Sequence, residues 1–250
     1  MNPSVAVVAL LLVSCHAFVH RGLEADLPLE IQEYDAQAEG NLVSVLEKLK
    51  TVLRKGNATI GIPVLDPFQK DELQLNFNKP EMIELAATLQ NVRAYGLSMY
   101  EVEQGEFAIV GFKVQVGLLW NNIALMTNYK MDGKLAGLAD IYGEGKIAAT
   151  IKGLKVRVNA TLGYQDKKLY VKQLHLEVHL KELDFQITGL LNDEDLSKLF
   201  SVAVTEMLPQ LIDDYQTQLT DYADPLLAKM FDKILSHFSL QDLMGMMASK

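Results

Sequence analysis

The strongest candidate for chemistry in this 250-residue sequence is His175-x-Glu177-x-His179. At a spacing of two on a strand, all three side chains leave the same face, and two imidazoles with a carboxylate form a zinc donor set. Leu174, Leu176, Val178 and Leu180 alternate with them. The cluster therefore falls on the wet face of a half-buried strand, and a solvated strand face is the favoured reading over a metal centre. No HExxH, GxSxG or phosphate-loop pattern occurs. Gly143-Glu144-Gly145 lacks the strand-to-helix setting of a dinucleotide site and reads as a turn. Asp213 and Asp214 are adjacent on a helix, where neighbouring side chains diverge, and read as solvated surface. A non-enzymatic protein without metal or cofactor is expected.

Cys15 is the single cysteine. It follows the nine-residue apolar run Val5–Val13, which is too short to span a bilayer but suits the core of a signal peptide. Cleavage after Ala17 would give a signal peptide at 1–17 and one domain at 18–250, with no thiol left for redox or nucleophilic chemistry. The rival reading takes Leu12-Val13-Ser14-Cys15 as a lipoprotein box. Behind a signal peptide, Asn57-Ala58-Thr59 and Asn159-Ala160-Thr161 become glycosylation acceptors at Asn57 and Asn159. The expected location is extracellular.

The formal net charge of −9 opposes a nucleic-acid footprint and simple electrostatic docking to anionic lipid. Stable membrane insertion is not expected; docking to a receptor or a lipid surface stays open. With 49% hydrophobic and 22% charged residues, the chain can build a sizeable core.

Leu42, Val45, Leu46, Leu49, Val52 and Leu53 have helical spacing, and Gly56 is a stop. The string Ile62-Pro63-Val64-Leu65-Asp66-Pro67 must be extended, since its prolines forbid a helix interior. From about Leu73 to Leu190 the period is two. Phe112, Val114, Val116, Leu118 and Trp120 share one face; so do Val156, Val158, Ala160 and Leu162. Asn121-Asn122, Asp132-Gly133 and Gln165 to Lys168 read as tight turns. Long strands must coil, and the glycines among them mark curvature. After Asn192 or Asp193 as a cap, the helical period returns through Leu219. Pro209 implies a kink, and Asp224-Pro225 a break into a second helix.

Several stretches, in order and spacing, resemble the takeout and juvenile-hormone-binding branch of the TULIP superfamily. They are Ile62 to Pro67, Tyr95-Gly96-Leu97-Ser98 with Val102, and Tyr142-Gly143-Glu144-Gly145-Lys146 with the strand from Ile147 to Leu162. Lys113 to Gly133 is similar to a hairpin of the group 7 mite allergens. The resemblance covers about residues 40–240. It implies an α+β fold in which a long, highly curved antiparallel β-sheet wraps a long C-terminal helix and encloses an apolar tube. Takeout-type proteins usually carry a disulfide near the mature N-terminus, and this chain has no cysteine there.

The tube would hold a terpenoid such as juvenile hormone, a fatty acid or another lipid, as in an insect hemolymph carrier. Its expected lining is Phe112, Val114, Val116, Trp120, Leu125, Tyr129, Val156, Val158, Met207, Leu211 and Met230, although any one of these can simply be packed core. Trp120 and Tyr129 line a mouth or cap the core; both readings stand. Ala139, Ala148, Ala149 and Gly137 would leave room, and Met126, Met131, Met207 and Met230 would adapt to a ligand. The alternative is an innate-immunity module for bacterial lipid or lipopeptide, which basic residues at a cavity mouth would favour. A lipid esterase would need an activated serine, and no such motif is seen.

Overall fold

The computed structural model describes residues 40–56, 64–79, 83–108, 110–135, 139–165 and 168–235. The signal segment, Cys15, Asn57 and Gly137 lie outside the described residues. Eight strands form one antiparallel sheet: β1 (Gly40–Asn41), β2 (Phe68–Lys79), β3 (Ile83–Tyr95), β4 (Tyr100–Ala108), β5 (Lys113–Trp120), β6 (Ile123–Leu135), β7 (Ala139–Gln165) and β8 (Lys168–Ile187). Helix α1 (Val43–Lys55) precedes β2, and α2 (Glu194–Asp214) and α3 (Gln216–Leu235) follow β8. The class is α+β: a large, open, curved antiparallel sheet with C-terminal helices.

The 27-residue β7 is the spine. Along one edge it pairs with β8, from Gln165↔Lys168 to Ile147↔Ile187. Along the other edge β6 takes Ala139 to Ile151 and β5 takes Leu154 to Thr161. The sheet thus has two arms, β6-β3-β2 and β5-β4-β1, joined by the Asn121-Asn122 turn. Gly153 stands between the arms with φ +64, a conformation that favours glycine. Register shifts at Gln90/Arg93, Val102/Gln104 and Thr161/Leu162 add local twist.

Two expected turns are strand instead. Asp132-Gly133 lies inside β6, where a Cβ on Gly133 would meet the Glu84 carbonyl oxygen at 2.1 Å. Gly143-Glu144-Gly145 lies inside β7, and its glycines admit a crossing backbone: a Cβ on Gly145 would stand 2.1 Å from the Thr188 carbonyl oxygen.

The helices seal the free edge of β8. Small polar side chains recur every fourth residue and bond to its unpaired backbone groups. Ser197, Ser201 and Thr205 accept from the N–H groups of Leu190, Ile187 and Phe185. Gln216 both accepts from and donates to Val178, Thr220 donates to the Leu176 carbonyl, Asp224 accepts from Leu176 N–H, and Asp232 accepts from Val171 N–H. An exposed sheet edge is an aggregation template, and this stripe satisfies it within the chain. Between the polar contacts, Leu208, Ile212, Leu219, Ala223 and Leu227 pack on Leu174, Leu176, Val178, Leu180 and Leu183. Each fully buried leucine contributes roughly 1.5–3 kcal/mol.

Asp193 caps α2, accepting from Asp195 and Leu196 N–H. Pro209 lies within α2, and the break falls at Tyr215, with Pro225 inside α3 rather than in its first turn.

Burial pushes the Asp224 carboxyl up, with Asp221 adding to the rise and the Leu176 N–H and His175 opposing it. Within the window above the ordinary carboxylate value, the folded chain holds a proton that the unfolded chain has released. The residue's contribution is therefore full below that window and lost as pH rises through it. Asp224→Asn, which can still accept from Leu176, should flatten this component of the stability-versus-pH curve and be neutral or stabilising at pH 7. Urea denaturation from acid to neutral pH checks it; a variant curve parallel to wild type contradicts it.

Candidate functional site

Strand alternation and register sort the sheet into two faces. Rows Leu73–Leu89–Tyr129–Gly145 and Leu75–Ala87–Met131–Gly143 run across β2, β3, β6 and β7 on the inner face, the face towards α2. Thr127–Ile147–Ile187 and Leu125–Ala149–Phe185 continue it across β6, β7 and β8. Leu73, Leu75, Met131, Ile147 and Phe185 are only half-buried and pack against a buried cluster of Phe68, Leu89, Val92, Ala94, Tyr129 and Ile187.

Helix α2 stands over one side of this floor. The Phe200 ring meets Phe185 edge-on, with centroids 6.4 Å apart, which marks the side of α2 that turns to the inner face. Beside Phe200 on the helix lie Leu196, Ala203 and Met207, with Leu199 beyond. Phe200, Met207 and Leu199 are 38%, 56% and 66% exposed. The helix therefore presents an uncovered apolar stripe beside a half-covered apolar floor. Burying the stripe would be worth about 25 cal/mol per Å². The arrangement is a shallow apolar trough between helix and sheet, and among the described residues it brings no metal-ligating cluster together.

The expected lining residues do not form a single group. Phe112, Val114 and Val116 are half-buried against Leu42, Phe107, Leu162 and Leu169 at the β5-β4-β1 arm. Trp120, Val156 and Val158 pack on the α2–α3 and β8 core. Trp120 donates to the Leu97 carbonyl at 3.0 Å and meets Tyr100 edge-on at 5.4 Å, which holds the indole at the core margin. Leu125 and Leu211 are half-buried, Met207 is on the trough rim, and the Met230 side chain lies outside the described residues. Tyr129 is 2% exposed; its hydroxyl donates to the Thr188 carbonyl at 2.9 Å, and burial raises its pKa. Met126 and Ala148 stand on the outer face, in the row Arg93–Met126–Ala148–Gln186, so neither adds room inside. Leu73, Leu75, Ile147, Phe185 and Phe200 are inner-face residues that the sequence reading missed. The signal that could have found Phe185 and Ile147 was the alternation on the far side of Gly153, where the inner face passes from even to odd positions in both β7 and β8.

Two of the motifs carrying the family resemblance, around Asp66 and around Gly96-Leu97-Ser98, meet in space. The Asp66 carboxylate accepts from Gly96 N–H at 2.9 Å, Ser98 N–H at 2.8 Å and Ser98 hydroxyl at 2.6 Å. The Leu65 and Asp66 N–H groups donate to the Leu53 carbonyl at the end of α1. One carboxylate thus pins the β3–β4 turn to the end of α1. Ser98→Ala should cost about 1–2 kcal/mol, because it removes a buried bond to a charged acceptor; an unchanged denaturation midpoint would contradict this. At the same end, the Tyr100 hydroxyl donates to the Leu46 carbonyl at 2.6 Å, and burial, with Glu47 nearby, pushes its pKa up to about 12.

The outer face is polar. His175 and His179 are exposed; Glu177 lies 3.7 Å from His175 and 3.9 Å from Arg157, and His179 pairs with Asp213 at 2.9 Å. Among the described residues no three His, Cys, Asp or Glu side chains are grouped to hold a metal. Asn159 is exposed on this face between Gln115 and His175. An open depression of about 440 Å³ lies at the end of the β2-β3-β6 arm, where outer-face Gln74, Thr88, Lys130 and Glu144 line it together with Ala87, Met131 and Gly143 of an inner-face row and Asn192 before α2. Among the described residues no helix is long and apolar enough to cross a membrane.

The description of the haemolymph juvenile hormone binding protein family matches this chain over residues 8–245. The crystal structure of Epiphyas postvittana Takeout 1 is similar in fold, with a TM-score of 0.55 and 14% identity over 80% of this chain and 92% of that one. A crystal structure of lipopolysaccharide binding protein overlaps 79% of this chain and 40% of its own, with 12% identity and a TM-score of 0.39. No curated protein matches the sequence.

Proposed function

The chain belongs to the haemolymph juvenile hormone binding protein family, and we propose that it is a secreted, non-enzymatic carrier of a hydrophobic small molecule, a terpenoid or long-chain lipid. The observation that carries this reading is the uncovered stripe Leu196–Phe200–Ala203–Met207 beside the half-buried inner sheet face. A ligand laid between them would complete the apolar tube. The residues named from sequence, from Phe112 to Met230, then divide into supports of the two arms and a contacting group around Leu125, Met207 and Leu211. Secretion rests on the apolar run at Val5–Val13; Asn57 and Asn159 are the glycan acceptors, and a glycan at Asn159 would stand on the outer face.

Binding by burial has a quantitative signature. Each added methylene should tighten affinity by about fourfold, from about 0.8 kcal/mol per buried CH₂. Displacement of a fluorescent fatty acid by a homologous series of straight-chain alcohols tests this. The reading predicts a steady gain with chain length until the trough is full. An absence of displacement at every length would overturn it.

A further inference from the structure

The uncovered stripe of α2 contains one atom open to oxidation, the thioether sulfur of Met207. Cys15 is the single cysteine and lies outside the described residues, so the oxidisable sulfurs of the described fold are thioethers. Met99, Met126 and Met207 are exposed. Register and helical spacing separate them. Met99 follows Ser98 in the β3–β4 turn, beside the Asp66 clamp. Met126 stands on the outer face, in the row Arg93–Met126–Ala148. Met207 shares a helix face with Phe200, whose ring meets Phe185 of the floor. Met131 also belongs to the floor, but it is half-buried against the cluster around Leu89 and Tyr129. Of these exposed sulfurs, Met207 alone borders the trough.

Given the carrier reading, on which this step rests, we infer that Met207 is an oxidation site through which a peroxide closes the trough to its ligand. The sulfur lone pair attacks a peroxide oxygen, the O–O bond breaks and an S–O bond forms. With hydrogen peroxide the displaced oxygen leaves as water; the thioether loses two electrons and the peroxide gains them. A flexible apolar side chain thereby becomes a polar sulfoxide. Its oxygen is a strong acceptor, and the stripe neighbours Leu196, Phe200 and Ala203 have no side-chain donor. The Gln210 amide, one turn further on, already donates to Asp214 at 2.7 Å. A ligand lying on the stripe must strip water from the sulfoxide oxygen, which weakens binding by about tenfold or more. A bound ligand in turn covers the sulfur, so a filled trough resists oxidation and an empty one does not. The change reverses when a sulfoxide reductase passes two electrons from a dithiol, which becomes a disulfide, and the oxygen leaves as water.

The test treats the full chain with dilute hydrogen peroxide, empty and loaded with a fluorescent fatty acid, and maps sulfoxide by peptide mass spectrometry. Met207 should oxidise several-fold more slowly in the loaded protein, while Met99 and Met126 oxidise equally in both. Oxidised protein should bind the probe about tenfold or more weakly, and sulfoxide reductases with dithiothreitol should restore the affinity. Met99→Leu with Met126→Leu should stay as sensitive to peroxide as wild type. Met207→Leu, compared with its own untreated affinity, should lose none on treatment. Equal oxidation of Met207 in empty and loaded protein overturns the inference. So does full affinity in protein whose Met207 is sulfoxide, or a peroxide effect that persists in Met207→Leu. Those three results leave the carrier reading standing, whereas protein that binds no probe before oxidation removes the carrier reading and the oxidation site together.

Discussion

Gly145→Val is expected to leave little folded protein. A Cβ at this position would meet the Thr188 carbonyl oxygen at 2.1 Å and its carbon at 2.7 Å. Both are backbone atoms, so no rotamer change relieves the clash. Gly143, two residues earlier, is as tightly placed: its Cβ would lie 2.4 Å from the Gly189 carbonyl oxygen and 3.0 Å from the Tyr129 hydroxyl. The crossing at 188–190 leads β8 into α2, so a displaced crossing moves α2 off the β8 edge and breaks the Ser197, Ser201 and Thr205 bonds. The combined loss should exceed about 4 kcal/mol, a large part of the roughly 5–15 kcal/mol that holds a domain together. Gly117→Ala is the control. Its Cβ would stand 3.2 Å from the Gln104 Cβ and 3.4 Å from the Gln104 backbone nitrogen, tight contacts that need a shift of only a few tenths of an ångström, and the cost should stay below about 2 kcal/mol. Soluble yield and denaturant midpoints read both. A Gly145→Val protein with a wild-type midpoint would show that the crossing does not lie on β7.

The second large effect is on binding rather than folding. Leu196→Asp with Met207→Asp places two carboxylates along the uncovered stripe of α2. Both side chains are exposed, at 42% and 56%, so the fold loses little packing. Leu196 also lies in the first turn of α2, where a negative charge is favourable. A bound alkyl chain would instead have to share a dry contact with two desolvated carboxylates, which costs several kcal/mol. Affinity for a fluorescent fatty acid should fall by about a hundredfold or more while the denaturation midpoint moves by less than about 1 kcal/mol equivalent. Equal affinity in wild type and variant would remove α2 from the site.

The period-two reading from Leu73 onwards found the sheet because β5 and the stretches of β7 and β8 on either side of Gly153 each alternate. It did not single out β3 and β4. Ile83–Tyr95 carries three alanines and two leucines, which favour helix, and its alternation slips at Asn91, where φ is +53 and the register shifts. Asp132-Gly133 and Gly143-Glu144-Gly145 mimic turns because close backbone approach needs the same residue that a turn needs. The helical pattern at 196–219 was legible, but its meaning was incomplete. Ser197, Ser201 and Thr205, spaced by four, are the mark of a helix that must bond to a strand edge. The site was less legible than the fold. Leu125 and Met126 are neighbours in the sequence, and only register shows that Leu125 faces α2 while Met126 faces water. For Tyr129 a mouth position and a core cap read alike in sequence; it is buried, and its hydroxyl fixes the crossing at Thr188.

An exposed apolar wall beside a half-buried apolar floor, left side by side on a folded protein, calls for something greasy to lie between them. Native mass spectrometry of the full-length protein from a secreting host, followed by extraction and identification of released lipid, asks this directly. The account predicts a species heavier than the polypeptide and its glycans by a small hydrophobic molecule, and loss of that species in the Leu196→Asp, Met207→Asp variant. Bare protein from every preparation, which also takes up no added fatty acid or terpenoid, would contradict it.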